Sequence, residues 1–405
     1  MKVVRTEQIW IPPNKQLSHL CHISKNLYNR AIYVIKKEHR CRFPSNGIEY
    51  IRKEGEFSEL PAQTAQQILR RVRSLWFAFL KSFKQWERDQ TKPKPRPPKY
   101  KRPNGEFVLY FTNQQCKIRN GVLMFPRKIG FTVKTRLADD VDLREVRIVP
   151  KGVGYVVEIA YRKEVPDCKS TPNRVVGIDL GLRNFITLAS NIGKKPIVLK
   201  GGVLKSINQF YNKEKTRLQS IYAKQGVKES KRLKRLTIKH NFKINDFMHK
   251  ASRFVIKWCL KQHIDTIVIG QNKGWKQRIN LGKINNQEFV SIPFGRFIHQ
   301  VQYKAEEVGI RVIIINEAHT SKCSFIDNEP IEHHEHYVGK RISRGLFRSS
   351  KGQIINADVN GALNLIRKAI PNAFVGTSAD GIEGVGLHPE VIGLSPQRVG
   401  VLTNS

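Results

Sequence analysis

Acidic residues are scarce in this chain. Asp and Glu number 33 against 72 Lys and Arg, which leaves a formal charge of +39. A compact chain so charged repels itself and calls for a polyanionic partner. Nucleic acid is the first partner class to consider and a membrane surface the second. No apolar run reaches membrane-spanning length, which argues against a transmembrane helix. The opening residues, MKVVRTE, lack the charged-then-apolar layout of a secretory signal. Cysteine stands only at 21, 41, 116, 168, 259 and 323, with no C-x-x-C pair. That spacing argues against a disulfide framework and suits reduced thiols in the cytoplasm, where DNA binding would associate the protein with the nucleoid. No internal repeat is visible.

What is present suffices for packed cores. The 405 residues are 40% hydrophobic and 9% aromatic, enough for two or three modules and too apolar for a disordered basic tail. Residues 2–11 read as a strand, ended by Pro12-Pro13. Leu17 to Ile35 carries apolar residues at helical spacing. A clearer helix follows Pro61: Ile68, Leu69, Val72, Leu75, Trp76, Phe79, Leu80, Phe83 and Trp86 form one stripe, expected to pack on a partner, with Arg70, Arg71, Arg73, Lys81, Lys84 and Arg88 opposite. Residues 91–103, TKPKPRPPKYKRP, are a stiff basic connector. Short strands follow at Phe107–Thr112, Val122–Pro126, Phe131–Thr135, Val146–Val149 and Tyr155–Ala160, separated by turn residues, as in a small β-barrel or sheet.

Near residue 170 the pattern changes. RVVGIDLG (174–181) is an apolar strand carrying one carboxylate, with Phe185–Ala189 as hairpin partner. Residues 205–225 and 228–263 are long basic helical segments split at Gly226. IDTIVIG (264–270) and IRVIIIN (310–316) are near-continuous apolar runs, as expected of strands buried on both faces. Pro293–Val308 reads as a helix. Asn356–Ala369 reads as a helix with Asn356 as N-cap. Residues 376–405 lack periodic pattern and are expected to be mobile.

Hydrolysis of a phosphodiester with Mg²⁺ or Mn²⁺ needs hard oxygen ligands converging from different elements. Asp179 sits in an apolar strand, where a carboxylate is costly unless paired or metal-bound. Asp358 lies in the first turn of the last helix, and Glu317 ends the run at 312–316. Singly, each has an ordinary structural explanation: a turn cap, a helix-dipole partner, a solvated strand end. Only the trio is suggestive.

GIDLGLRNFITLA (177–189), NEAHTSKCSFIDNEPI (316–331), HYVGKRISRGLFRSSKG (336–352) and INADVNGALNLIRKAIPNAF (355–374) resemble the TnpB family of transposon-encoded proteins, relatives of the type V CRISPR effectors. LPAQTAQQILRRV and KPRPPKYK, further upstream, resemble that family's helical and linker regions, so the likeness covers nearly the whole chain. The resemblance implies a multidomain α+β and α/β fold. A wedge-like β-barrel (1–13 and 105–168) would hold an inserted helical recognition lobe with a basic linker (14–104). A RuvC-like RNase H fold nuclease domain (169–318 and 356–375) would follow, with a small insertion at the zinc-ribbon position (319–355) and a tail (376–405). It implies RNA-guided DNA cleavage beside a short adjacent motif, with a guide RNA from the transposon end pairing to target DNA. Asp179 and Asp358 then correspond to the first and last catalytic, metal-binding carboxylates.

Two departures stand out. The family usually places its middle Glu at the end of the strand read here as IDTIVIG, where this chain has Gly270-Gln271-Asn272-Lys273-Gly274-Trp275 and no carboxylate until Glu288. Either activity is lost, leaving an RNA-guided DNA binder, or another Glu fills the gap. Glu317 is favoured, because adjacent parallel strand ends share one crevice; some family branches carry a Glu in a segment resembling NEAHTSKCS. The second departure is zinc. Only Cys323 remains where many members have two C-x-x-C pairs, and His333, His334 and His336 make a poor tetrahedral set with it, so no zinc is expected. Lys340, Arg341, Arg344 and Arg348 are candidate nucleic-acid contacts. So are Arg70, Arg71, Arg73, Lys94, Arg96, Lys99, Tyr100, Asn113 and Gln114, although most of VLYFTNQQ (108–115), with Tyr110 and Phe111, could equally be sheet core. A non-catalytic accessory DNA-binding protein of the element is a third reading. A single-strand transposase is disfavoured, since no Tyr nucleophile paired with a His-hydrophobe-His motif is visible.

Overall fold

The computed structural model describes residues 1–38, 55–168, 171–227, 230–271, 292–343, 345–375 and 388–394. Arg344, Glu288, the 272–275 stretch and most of the 376–405 tail lie outside the described residues. The chain divides into two compact units, Lys2–Glu164 and Val165 onward with Met1. No helix among the described residues is long and apolar enough to cross a membrane.

In the first unit, β1 (Lys2–Ile11) pairs antiparallel along its whole length with β7 (Tyr155–Glu164). With β6 (Asp142–Pro150) and β2 (Leu109–Thr112) they form a four-stranded sheet in the order β1-β7-β6-β2. A smaller antiparallel sheet holds β3 (Lys117–Arg119), β4 (Val122–Met124) and β5 (Thr132–Lys134). The β3–β4 turn is Asn120-Gly121, both at positive φ, which two-residue hairpins require. Asp139 accepts both turn N–H groups.

The helical segment shares the core of these strands. Helix α1 (Lys15–Glu38) buries Leu17, Leu20 and Leu27, and α2 (Ala62–Arg88) buries Ile68, Leu69 and Val72, together with Phe111, Ile148 and Val157 of the sheet. The α2 stripe is covered only up to Val72. Beyond it Trp76, Phe79, Phe83 and Trp86 contact one another in a half-exposed ladder of rings, with neighbouring centroids 5.6–5.9 Å apart.

The second unit is built on a six-stranded sheet in the order β12-β11-β8-β9-β10-β16. Strand β8 (Val175–Leu180) runs parallel to β11 (Thr266–Gly270), which runs parallel to β12 (Arg311–Ile315). On the other side β9 (Asn184–Ser190) and β10 (Ile197–Lys200) follow as antiparallel hairpins. Two expectations change here. β16 (Glu390–Ile392), within the supposed mobile tail, pairs parallel with β10. β12 is an edge strand among the described residues, with Ile314 39% exposed, so its apolar run is not buried on both faces.

Helices α3 (Gly202–Lys224), α4 (Lys231–Lys261) and α5 (Phe294–Glu306) contribute to one core. Strand alternation sorts the sheet residues. Val176, Ile178, Ile267 and Ile269 join that core, whereas Val175 and Val268 pack with Leu365 and Ile366 of α6 (Ala357–Ala369). Gly177 belongs to the α6 face. A Cβ there would stand 2.1 Å from the Ala362 carbonyl oxygen, so glycine is what lets helix and strand approach this closely. Two residues further along that face comes Asp179.

Between β12 and α6, residues 316–356 contain a three-stranded antiparallel sheet of β13 (Lys340–Ser343), β14 (Leu346–Arg348) and β15 (Ile354–Asn356). Hydrogen bonds hold the segment where the resemblance led us to look for cysteine pairs. The Cys323 carbonyl accepts from both Asn360 and Asn364 of α6, at 2.9 and 2.7 Å. Buried Glu329 accepts from the Ser324 and Val338 N–H groups at 2.6 and 2.8 Å. Arg367 donates to the Glu329 carbonyl oxygen.

Candidate active site

Three elements deliver three carboxylates. β8 carries Asp179 on the α6 face. Helix α6 starts with Asn356, whose side chain accepts from the Asp358 and Val359 N–H groups at 3.0 and 3.2 Å, and this N-cap sets Asp358 in the first turn. Glu317 follows the end of β12, beside the end of β11.

At that end stands Gly270. A Cβ on it would lie 3.0 Å from Glu317 Cβ, 3.1 Å from Glu317 Oε2 and 2.9 Å from Leu365 Cδ2. The Glu317 side chain thus fills the space that a side chain at 270 would need. Asp179 lies against α6, with Oδ2 3.6 Å from where a Cβ on Gly361 would be.

The electrostatics show that Asp179 senses the other two carboxylates. The Asp179 carboxyl is pushed well above the usual carboxylate range, first by burial and then by the negative charges of Asp358 and Glu317. The Leu180 N–H and Arg341 act in the opposite direction. Asp179 is crowded by protein yet keeps partial solvent exposure, as a group on the floor of an open crevice does. Burial pushes Glu317 up to about 7. Asp358 Oδ2 accepts from Asn184 Nδ2 at 2.6 Å, and its Oδ1 lies 3.7 Å from Arg341 Nη2.

Asp179 and its two acidic neighbours offer hard oxygen donors of the kind that Mg²⁺ or Mn²⁺ takes. Among the described residues, no three Asp, Glu, His or Cys side chains already converge into a ready ligand set. A cation would have to draw these carboxylates together.

The other candidates are scattered. Lys340, Arg341 and Arg348 lie exposed on the β13–β14 hairpin, with Arg341 turned to Asp358. In the first unit Arg70, Arg73, Lys94, Arg96, Lys99, Asn113 and Gln114 are exposed. Tyr100 is exposed beneath the Lys36 ammonium, 4.6 Å from its ring centroid. Arg71 is engaged within the protein, bound to Glu145 at 2.6 Å and over the Tyr110 ring. Phe111 is sheet core. Cys323 is buried; His319 and His334 contact Tyr337 and the Pro330 carbonyl. Sequence reasoning missed Asn184 and Lys200, whose roles come from strand register rather than from any motif.

Comparison with known proteins accords with this arrangement. Residues 158–276 match the family described as "Probable transposase", and residues 294–365 match "Cas12f1-like, TNB domain". TnpB-like protein ORF457 of Acidianus two-tailed virus is 22% identical over 414 residues, covering 90% of this chain and 87% of that protein. CRISPR-associated endodeoxyribonuclease Cas12f1 of Sulfoacidibacillus thermotolerans is 27% identical over 273 residues, covering 63% of this chain and 60% of that protein. In fold, the chain is similar to the protein of a Cas12f1-sgRNA-target DNA complex, with a TM-score of 0.51 at 12% identity, covering 87% of this chain and 83% of that one. These matches, with the order of motifs along the chain, bear out its similarity to the TnpB family and to the related type V CRISPR effectors.

Proposed function

We propose that the chain is an RNA-guided DNA endonuclease of an insertion-sequence element, with Asp179, Glu317 and Asp358 as its catalytic, metal-binding residues. The observation that carries this reading is Glu317 standing over Gly270. A carboxylate thereby reaches the crevice from the neighbouring strand, where the family pattern had suggested a gap. The sheet order, with parallel β8, β11 and β12 flanked by an antiparallel hairpin, supports an RNase H-like reading of the second unit.

Mg²⁺ or Mn²⁺, when bound, supplies charge neutralisation and activation of water at the scissile phosphate. The chain's own residues do the rest. Asp179 is held by the glycine-permitted approach of β8 and α6. Asp358 is oriented by its N-cap. Glu317 is wedged above Gly270 and Leu365. Lys340, Arg341 and Arg348 would meet the phosphate backbone at the crevice, while Arg70, Arg73, Lys94, Arg96, Lys99, Tyr100, Asn113 and Gln114 offer cations, a ring and amides to RNA or DNA. Base pairing with a guide RNA from the transposon end would read the target sequence.

The test is cleavage of a plasmid library with a randomised adjacent motif, by protein purified with its co-expressed RNA, in Mg²⁺ and in chelator. Metal-dependent cuts at guide-matched targets, lost in Asp179→Ala and Asp358→Ala, are the expected result. Guide-directed binding without cuts would refute the nuclease and leave an RNA-guided binder; binding indifferent to the guide would leave an accessory DNA-binding protein.

A further inference from the structure

One side chain at the crevice has no place in the reading so far. Asn184 opens β9, partly buried, and donates from Nδ2 to Asp358 Oδ2 at 2.6 Å. Its Oδ1 accepts from Lys200 Nζ at 3.1 Å. A lysine ammonium can only donate, so it fixes which end of the amide faces it. Asn184 must then turn its N–H toward the carboxylate. Without Lys200 the amide could flip and set oxygen against oxygen.

The backbone is shaped to make this contact. The β9–β10 register runs Ile197↔Leu188, Val198↔Thr187, Leu199↔Ile186, then skips Phe185 and pairs Lys200 with Asn184. Such a bulge re-aims side chains next to functional sites. Gly201 follows with its N–H on the Arg183 carbonyl at 2.7 Å, and a Cβ on it would lie 2.6 Å from the Leu182 carbonyl oxygen. The strand end can close onto the 181–184 turn because residue 201 is glycine.

We propose that Asn184 and Lys200 are positioning residues for Asp358. They hold Oδ2 and leave Oδ1, which faces Arg341 Nη2 at 3.7 Å, as the oxygen a divalent cation would take in place of that cationic neighbour. Partners of this kind orient ligating carboxylates, and losing one typically weakens metal binding roughly 10–100-fold. The inference rests on the metal-site reading above.

The experiment measures Mn²⁺ affinity of the full chain, freed of nucleic acid, by the spin-resonance signal of unbound Mn²⁺, alongside melting temperature without metal. Wild type should bind, and Asp358→Asn should not; a wild type that binds no better than Asp358→Asn would overturn the metal site and this inference with it. Given wild-type binding, Asn184→Ala should weaken it roughly 10-fold or more while leaving the metal-free melting temperature unchanged. Lys200→Met, at an exposed position, should weaken binding by a smaller factor in wild type and by none in the Asn184→Ala background, because it acts through Asn184. Unaltered affinity in Asn184→Ala, or an undiminished Lys200→Met effect in its background, would overturn the positioning role while leaving the metal site standing. If Asn184→Ala fails to fold, Lys200→Met alone decides: wild-type affinity in that variant would contradict the proposal.

Discussion

Glu317 and Gly270 compete for one space: a Cβ on the glycine would stand 3.0 Å from the Cβ of the glutamate, tighter than most nonbonded carbon contacts. The two positions, on adjacent parallel strand ends, therefore cannot both carry an unmoved side chain. This makes a paired exchange meaningful. Gly270→Glu alone should disturb Glu317 and Leu365 and abolish cleavage, as should Glu317→Ala alone. The double variant, with the carboxylate moved to β11, should regain measurable guide-directed cutting. Cleavage no better in the double variant than in the singles would show that the two positions are not interchangeable.

Gly177 bears on stability rather than chemistry. Even one methyl group there meets the Ala362 carbonyl oxygen at 2.1 Å. Helix α6 would have to move off the sheet, and overpacking of this kind costs roughly 1–3 kcal/mol. Gly177→Ala should lower the unfolding free energy by the upper end of that range. By contrast, Gly361→Ala places its methyl at 3.6 Å from Asp179 Oδ2, ordinary contact, and should be tolerated. Denaturant titration of the two variants tests the contrast.

The raised carboxyls have a stability consequence whose sign is fixed. Glu317 holds its proton more tightly folded than unfolded, with a value moved from 4.5 to about 7. Asp179 is moved in the same direction. Their contribution is thus present at low pH and is lost as pH rises through the folded value. Above about pH 7, the metal-free protein carries a desolvated charge at Glu317, and ionising Asp179 beside it costs more still. Asp179→Asn should then melt higher than wild type without metal, and the difference should shrink toward pH 4.5. Melting curves across that range check this; a lower melting temperature for the variant throughout would contradict it.

The insertion between β12 and α6 relies on hydrogen bonds. Glu329→Ala would leave the buried Ser324 N–H without its acceptor, at about 1–3 kcal/mol, and would free the more exposed Val338 N–H. A zinc chelator should leave the melting temperature of wild type unchanged, whereas Glu329→Ala should lower it. A chelator-induced loss of structure would show a metal that hydrogen bonding does not replace.

The strand carrying Asp179 and the capped helix carrying Asp358 were legible from local pattern, whereas the pairing of the two carboxylates came only from the resemblance. Glu317 was legible only as the best neighbour of a gap; its position over Gly270 depends on strand order, which no local pattern encodes. Asn184 was invisible for a similar reason. Its partner Lys200 is set opposite it by a one-residue bulge, a property of pairing rather than of either segment. The α2 stripe has a uniform periodicity, yet among the described residues only its first half is fully buried, a difference no local pattern encodes. β16 escaped because three residues make too short a pattern to stand out in a Gly-rich tail.

The claim that Glu317 completes the active site is tested most directly by the initial rate of cutting at a guide-matched target in Mg²⁺, comparing wild type with Glu317→Gln and Glu288→Gln. The account predicts a loss of at least about 100-fold for Glu317→Gln with guide-directed binding intact, and a near-wild-type rate for Glu288→Gln. Full-rate cleavage by Glu317→Gln would contradict it.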